Sequence, residues 1–182
     1  MMIKTVHNFL PKSFTTRLNK DITEGIIPFF FRESNVEGSK LSQFTHDCYD
    51  LDEHNTPSHS EYFGVVHPLF YFIEKEFKLT ITELIRIKFN IITSKHLKIE
   101  DLNTAIHRDV FKDDGIYSFL YYINDSDGDT CFYSEDNEII EKITPIKNSG
   151  VLFNSYIKHR ATPPINTDAR FVISAVFKAN ES

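Results

Sequence analysis

From Leu84 the chain alternates. In LIRIKFNIIT, the apolar Ile85, Ile87, Phe89 and Ile91 are interleaved with Arg86, Lys88 and Asn90, a period that sends the two sets to opposite faces of a strand. Short stretches of similar character follow at 104–109, 116–124, 130–133, 138–145, 150–153, 156–159 and 170–178, punctuated by D-D-G, D-G and P-P turns. Upstream the spacing is helical. FTTRLNKDI carries Leu18 and Ile22 on one edge, with Ser13 as a candidate cap and Gly25 as a stop. EYFGVVHPLFYFIEKEF, opened by Ser58 or Ser60, repeats Phe63, Val66, Phe70, Ile73 and Phe77 at three- and four-residue steps, the mark of a helix facing a core. Between these helices, residues 31–60 are polar and turn-rich and predict a long surface loop.

Helices first and strands afterwards predict a mainly β fold, an antiparallel sandwich or jelly roll with N-terminal helices bracing one sheet. At 182 residues a single domain is expected, residues 1–83 forming the brace and 84–178 the jelly-roll core. Seventeen Phe and eight Tyr suit pleated faces, and the runs FFF at 29–31 and PLFYF at 68–72 predict core.

Charge and cysteine content narrow the classes. The net charge is −6 with no clustered Lys/Arg stripe, so no nucleic-acid partner is expected. No apolar run approaches the ~20 residues that cross a bilayer, and MMIKTVHNFLPKS lacks the apolar centre of a signal peptide. A cytoplasmic location without a membrane partner is expected. Cys48 and Cys131 have no C-x-x-C spacing and predict reduced thiols. Oligomeric state is left open.

The candidate chemistry begins at AIHRDVF. His107 and Asp109 are two apart, on one face of a strand; alone, they read as an exposed pair. Mononuclear iron in an oxygenase takes two imidazoles and one carboxylate and keeps positions open, so a third ligand is needed from a distant strand. His159, before the TPP loop, is the candidate. Arg170 then opens a strand whose alternate residues are Val172, Ser174 and Val176, and an Arg so placed can grip a carboxylate through two parallel bonds. Arg108 and Arg160 point the other way and read as structural or solvated.

The ordered elements HRD, YYIN, DGDT, PIKNSGVLFNS, His159 and Arg170 together resemble the 2-oxoglutarate- and Fe(II)-dependent oxygenases, specifically their prolyl-4-hydroxylase-like branch, over roughly residues 84–178. The resemblance implies a double-stranded β-helix (cupin-like jelly roll). It implies His107, Asp109 and His159 as catalytic iron ligands, with Arg170 on the distal carboxylate of 2-oxoglutarate. Ser174 and Tyr122 fall where the family places further cosubstrate contacts. Fe(II), 2-oxoglutarate and O2 would be required, with ascorbate as a candidate accessory reductant. The implied reaction hydroxylates an unactivated C–H bond and releases succinate and CO2. A peptidyl prolyl residue is the first substrate expected; the alternatives are a free amino acid or small metabolite, or a non-catalytic jelly-roll module that only binds metal or ligand. Asp127 stands where the family has Gly, and the connection between RIKFNIIT and HRD is long.

Other features have plainer readings. Arg86, Lys88 and Asn90 form either the wet face of a sheet or part of the barrel mouth. DSDGDTCFYSED imitates a calcium loop through Asp125, Asp127 and Asp129, but has Thr130 and Asp136 where Gly and Glu are required, so a hairpin turn is expected. THDCYD, with His46, Asp47, Cys48 and Asp50, reads as solvated loop. His54, His59, His67 and His96 lack partner spacing.

Overall fold

Every strand pairing among the described residues is antiparallel, and two sheets face each other. The computed structural model describes residues 2–25, 27–33, 41–51, 56–93, 105–112 and 115–181. The large sheet contains β1 (Ile3–His7), β2 (Phe30–Arg32), β3 (Gln43–Leu51), β4 (Pro57–His59), β5 (Leu79–Thr93), β6 (Ile116–Tyr122), β9 (Ser149–Asn154) and β11 (Ala169–Glu181). Its order is β1-β9-β6-β11-β5-β3-β2, with β4 attached to β3. The small sheet is β10-β7-β8, formed by β7 (Thr130–Tyr133), β8 (Ile139–Ile143) and β10 (Lys158–Ala161). This is a jelly roll, mainly β as the alternation predicts.

Alternation also decides what each face packs against. On β6, Phe119 and Tyr121 turn outward to the helices, where they join Leu18, Leu69, Ile73, Ile87, Phe89 and Phe177 in one core. Leu120 and Tyr122 turn inward and meet Phe132, Val151, Phe153 and Val172 between the sheets. In the first half of β11 Arg170, Val172 and Ser174 therefore face the interior of the roll.

The helices are α1 (Lys12–Thr23), α2 (Phe63–Val66) and α3 (Pro68–Phe77). Ser13 is not the cap of α1: the preceding Pro11 holds that position, its carbonyl accepting the Phe14 and Thr15 N–H groups at 3.0 Å. Gly25 follows α1 at φ +80°. The second predicted helix is two, divided at His67 because Pro68 starts α3 and has no N–H to continue the preceding turn.

Other expectations are corrected as well. Residues 31–60 are not one loop: β3 and β4 lie within them, as does the end of β2, while 34–40 and 52–55 fall outside the described residues. Of the strand expected at 104–109, the described residues 105–109 form none, a single bridge joining His107 to His159. In the FFF run Phe29 packs on the core, but Phe30 and Phe31 are 58% and 57% exposed and are not core. In PLFYF, Leu69 and Phe70 are buried and Tyr71 is exposed. His54 and His96 also lie outside the described residues.

The THDCYD segment is strand rather than solvated loop. His46 is buried there because both ring nitrogens are satisfied, by the Pro28 carbonyl at 2.8 Å and the Ser60 hydroxyl at 2.9 Å. Cys48 and Cys131 are free and buried, and burial pushes the Cys48 thiol up to about 11. No helix among the described residues is long and apolar enough to cross a membrane.

Candidate metal centre

The short bridge is what brings the two imidazoles together. His107 N–H donates to the His159 carbonyl at 3.0 Å, and His159 N–H returns a bond to His107 at 2.9 Å. Residues so paired across an antiparallel ladder share a face, and their rings stand 4.4 Å apart between centroids. Phe153 and Phe132 pack on His159, at 4.8 and 6.1 Å. A carbonyl can only accept, so the bond from His159 Nδ1 to Ile157 O, at 2.9 Å, fixes the proton on Nδ1 and leaves Nε2 a free lone pair. His107 Nδ1 faces the Ala105 carbonyl at 3.4 Å in the same sense.

Asp109 is held from both sides. Its N–H donates to Ser155 O at 3.1 Å. The Ser118 hydroxyl donates to Oδ2 at 2.6 Å, and Arg86 Nη2 donates to Oδ1 at 2.5 Å. Oδ2 lies 3.7 Å from His159 Nε2. One ligand atom from each of His107, Asp109 and His159 lies within 4.8 Å of the others, so these three could hold a single metal ion.

The electrostatics leave the cluster ready for a cation. Burial opposes a charge on Asp109, but His159, Arg86 and the Ser118 bond outweigh it and hold the carboxyl at about 2. Burial, reinforced by His159, pushes His107 down to about 4. At neutral pH this imidazole keeps its lone pair, the form a metal binds.

The cluster opens into a cavity of about 300 Å³ between the sheets. Arg86, Lys88 and Asn90 line it from β5; Arg170, Val172 and Ser174 line it from β11. Of the two readings for the charged face of β5, the barrel mouth is the observed one. Arg170 is 3% exposed. Its Nη2 donates to Thr130 Oγ1 at 2.8 Å, its Nε has no partner, and no carboxylate among the described residues pairs with it. A buried cation without a counter-charge is costly, and a ligand carboxylate is the chemistry that would satisfy it. Tyr122 is fully buried behind this wall, its hydroxyl 2.8 Å from Thr130 Oγ1 and its ring 5.6 Å beneath the Arg170 guanidinium.

The turn at DGDT serves Arg170 structurally. A Cβ on Gly128 would come within 2.7 Å of Thr162 O and 3.1 Å of Arg170 Cδ, so only Gly allows this approach. Asp127 accepts bonds from Ile165, Asn166 and Thr167 N–H at 3.2, 2.7 and 3.1 Å. It thereby staples the loop that leads into β11. Burial opposes its charge slightly, but the Asn166 and Thr167 donors hold the carboxyl well below the usual range. Asp125 accepts from Lys147 N–H, while Asp129 accepts from Thr144 and pairs with Lys142. These acids point to separate partners, as a hairpin turn requires and a calcium loop does not.

Several functional neighbours were not legible as such. Thr130 is the last residue of the DGDT element, which gave it no role, and Ser118 and Ser155 are single hydroxyls without a pattern around them. Arg86 was visible only as one member of an alternating face.

Residues 97–178 match the profile of the 2OG-Fe(II) oxygenase superfamily. No curated protein matches the sequence. Among solved structures, an oxidoreductase of the 2OG-Fe(II) oxygenase family from Burkholderia pseudomallei superposes with a TM-score of 0.74 at 10% identity, covering 97% of this chain and 84% of that one. A Trichoplax adhaerens prolyl hydroxylase, in complex with a hypoxia inducible factor peptide fragment, gives 0.65 at 19%, covering 97% and 83%. The non-haem α-ketoglutarate-dependent epimerase SnoN from nogalamycin biosynthesis gives 0.64 at 15%, covering 97% and 78%. At these identities the superpositions speak for the fold. The profile match makes residues 97–178, a little under half of the chain, similar to the 2OG-Fe(II) oxygenase superfamily, and prolyl hydroxylases are among the structures that share the fold. That family depends on Fe(II) and 2-oxoglutarate, and the two His and one Asp are the candidate triad for the metal.

Proposed function

We propose that the protein is a 2-oxoglutarate-dependent dioxygenase that hydroxylates an unactivated C–H bond, with His107, Asp109 and His159 as the Fe(II) ligands. The observation that carries this reading is the pairing of that cluster with a buried, carboxylate-free Arg170 on the same cavity wall. The ferrous ion, when bound, supplies the redox chemistry that couples O2 and 2-oxoglutarate to substrate oxidation.

The chain's own residues do the positioning. Ile157 O and Ala105 O fix the imidazole tautomers, so both present a lone pair. Ser118 and Arg86 orient the carboxylate. Arg170, supported by Thr130 from below, grips the distal carboxylate of the cosubstrate, and the Ser174 hydroxyl adds a donor from the same face. Tyr122 acts as a positioning residue, holding Thr130 and lying under the guanidinium. The prolyl hydroxylase likeness supports a peptidyl prolyl substrate; the epimerase from antibiotic biosynthesis supports a small molecule.

The test is turnover. Fe(II)-loaded protein given 2-oxoglutarate and O2, with ascorbate to keep the iron reduced, is expected to release succinate and CO2, and Asp109→Ala or Arg170→Ala to lose most of that release. A metal-binding module without catalysis would bind the ion and release neither product. A metal-dependent hydrolase would be indifferent to Arg170.

A further inference from the structure

We infer that the substrate is a small molecule bearing a carboxylate, and that Lys88, aided by Arg86, receives it. This rests on the dioxygenase reading and names the substrate class for the same site.

The chain carries a net charge of −6, yet the charged residues on the described cavity wall are Arg86, Lys88, Arg108 and Arg170 against Asp109 alone. A recess of one sign in a chain of the other concentrates ligands of the opposite charge. Two of the four cations have other duties. Arg170 takes the cosubstrate's distal carboxylate, and Arg108 is tied to the exposed Glu135 at 2.5 Å. Arg86 and Lys88 remain, two apart on β5 and therefore on one face.

Lys88 sits at the centre of that face, its register partners being Ser174 on β11 and Asp47 on β3. Asp47 pairs with it at 3.1 Å but is shared with Arg32 at 3.5 Å, and its side chain is 42% exposed. One solvated carboxylate divided between two cations leaves the group with positive charge to spare. Arg86 holds Asp109 through Nη2, while its buried Nε has no hydrogen-bond partner and is left to aid Lys88. The Ser174 hydroxyl faces the cavity and makes no hydrogen bond to a described residue. The neighbouring wall is apolar, with Ile92, Leu120 and Val172, fitting a short aliphatic body attached to the acid. The cavity of about 300 Å³ lies at the small end of ligand sites, which run from ~300 to 1,000 Å³, and 2-oxoglutarate on Arg170 takes part of it, leaving room for a small substrate body. A neutral prolyl ring in a peptide would use none of these cations.

The experiment uses matched probes: L-proline, L-leucine and L-glutamate, their C-terminal amides, and a capped neutral prolyl peptide. Binding to the Zn(II)- and 2-oxoglutarate-loaded protein is measured by calorimetry, and 2-oxoglutarate affinity is measured on the same samples. The expectation is that at least one free acid binds ten-fold or more tightly than its amide. Lys88→Gln should erase that preference and Lys88→Arg retain it, whereas 2-oxoglutarate affinity should respond to Arg170→Ala instead. Equal binding of acids and amides, a preference that survives Lys88→Gln, or binding of the capped peptide alone would overturn the inference. Acid-selective, Lys88-dependent binding without succinate release by the Fe(II)-loaded protein would support this substrate site and count against the dioxygenase reading instead.

Discussion

His107 and His159 exchange both backbone hydrogen bonds, at 3.0 and 2.9 Å, although no regular strand contains His107. One ladder rung is enough to set two imidazoles on the same face, and both Nδ1 atoms are then taken by backbone carbonyls. Only Asp109 is oriented by side chains.

That orientation is open to mutation. Ser118→Ala removes the 2.6 Å bond to Asp109 Oδ2 without touching a ligand. Groups that orient a ligating carboxylate are worth roughly 10–100-fold in metal affinity. Anaerobic Fe(II) titration should show a loss of that size, with little change in the circular dichroism spectrum.

Arg170→Met should separate stability from binding. The native guanidinium is buried, bonded to Thr130 and set against Tyr122, with no ion-paired carboxylate among the described residues, so an apolar side chain of similar length removes a poorly compensated charge. The ligand-free variant is expected to melt at or above the wild-type temperature. Charge-assisted hydrogen bonds contribute ~1.5–3 kcal/mol each, so its affinity for 2-oxoglutarate should fall by at least ten-fold. A variant that melts much lower would mean that Arg170 is chiefly structural.

Asp127→Asn should weaken the loop before β11 in a pH-dependent way. The carboxyl's folded value is depressed by the Asn166 and Thr167 donors. Its contribution is therefore fully present above the unfolded value of ~3.9 and is lost as pH falls below it. The difference in Tm between wild type and Asp127→Asn should be complete at pH 7, shrink below about pH 4 and approach zero at the acid limit. A difference independent of pH would assign the effect to shape rather than charge.

Gly128→Ala tests the close approach at the same turn. A methyl there meets Thr162 O and Pro164 N at 2.7 and 2.9 Å, backbone atoms that cannot rotate away. The loop must move, carrying Arg170 with it. An increase in KM for 2-oxoglutarate larger than any fall in kcat is expected.

The sequence was readable where one face of a strand is apolar. β7 was found with its observed ends, and β6, β9 and β11 nearly so, because each buries a clear alternating or continuous apolar set. β3 was missed for the opposite reason. Its His46 is buried only because Pro28 and Ser60 satisfy it, and its Asp47 faces Lys88 at the cavity edge; in letters both look like solvated loop. The candidate triad and Arg170 were singled out through ordered spacing along the chain, and the structure brings them to one cavity. The bond from Arg170 to Thr130 of DGDT and the one from Ser118 to Asp109 were not legible, since a hydroxyl beneath an Arg or behind a carboxylate leaves no period to detect.

The central claim is that three side chains and one guanidinium hold the metal and its cosubstrate together. An anaerobic crystal structure with Mn(II) and 2-oxoglutarate tests it most directly. The account predicts one ion bonded to His107, Asp109 and His159, with the distal carboxylate of 2-oxoglutarate on Arg170. An ion that omits His159, or a cosubstrate whose distal carboxylate lies away from Arg170, would contradict it.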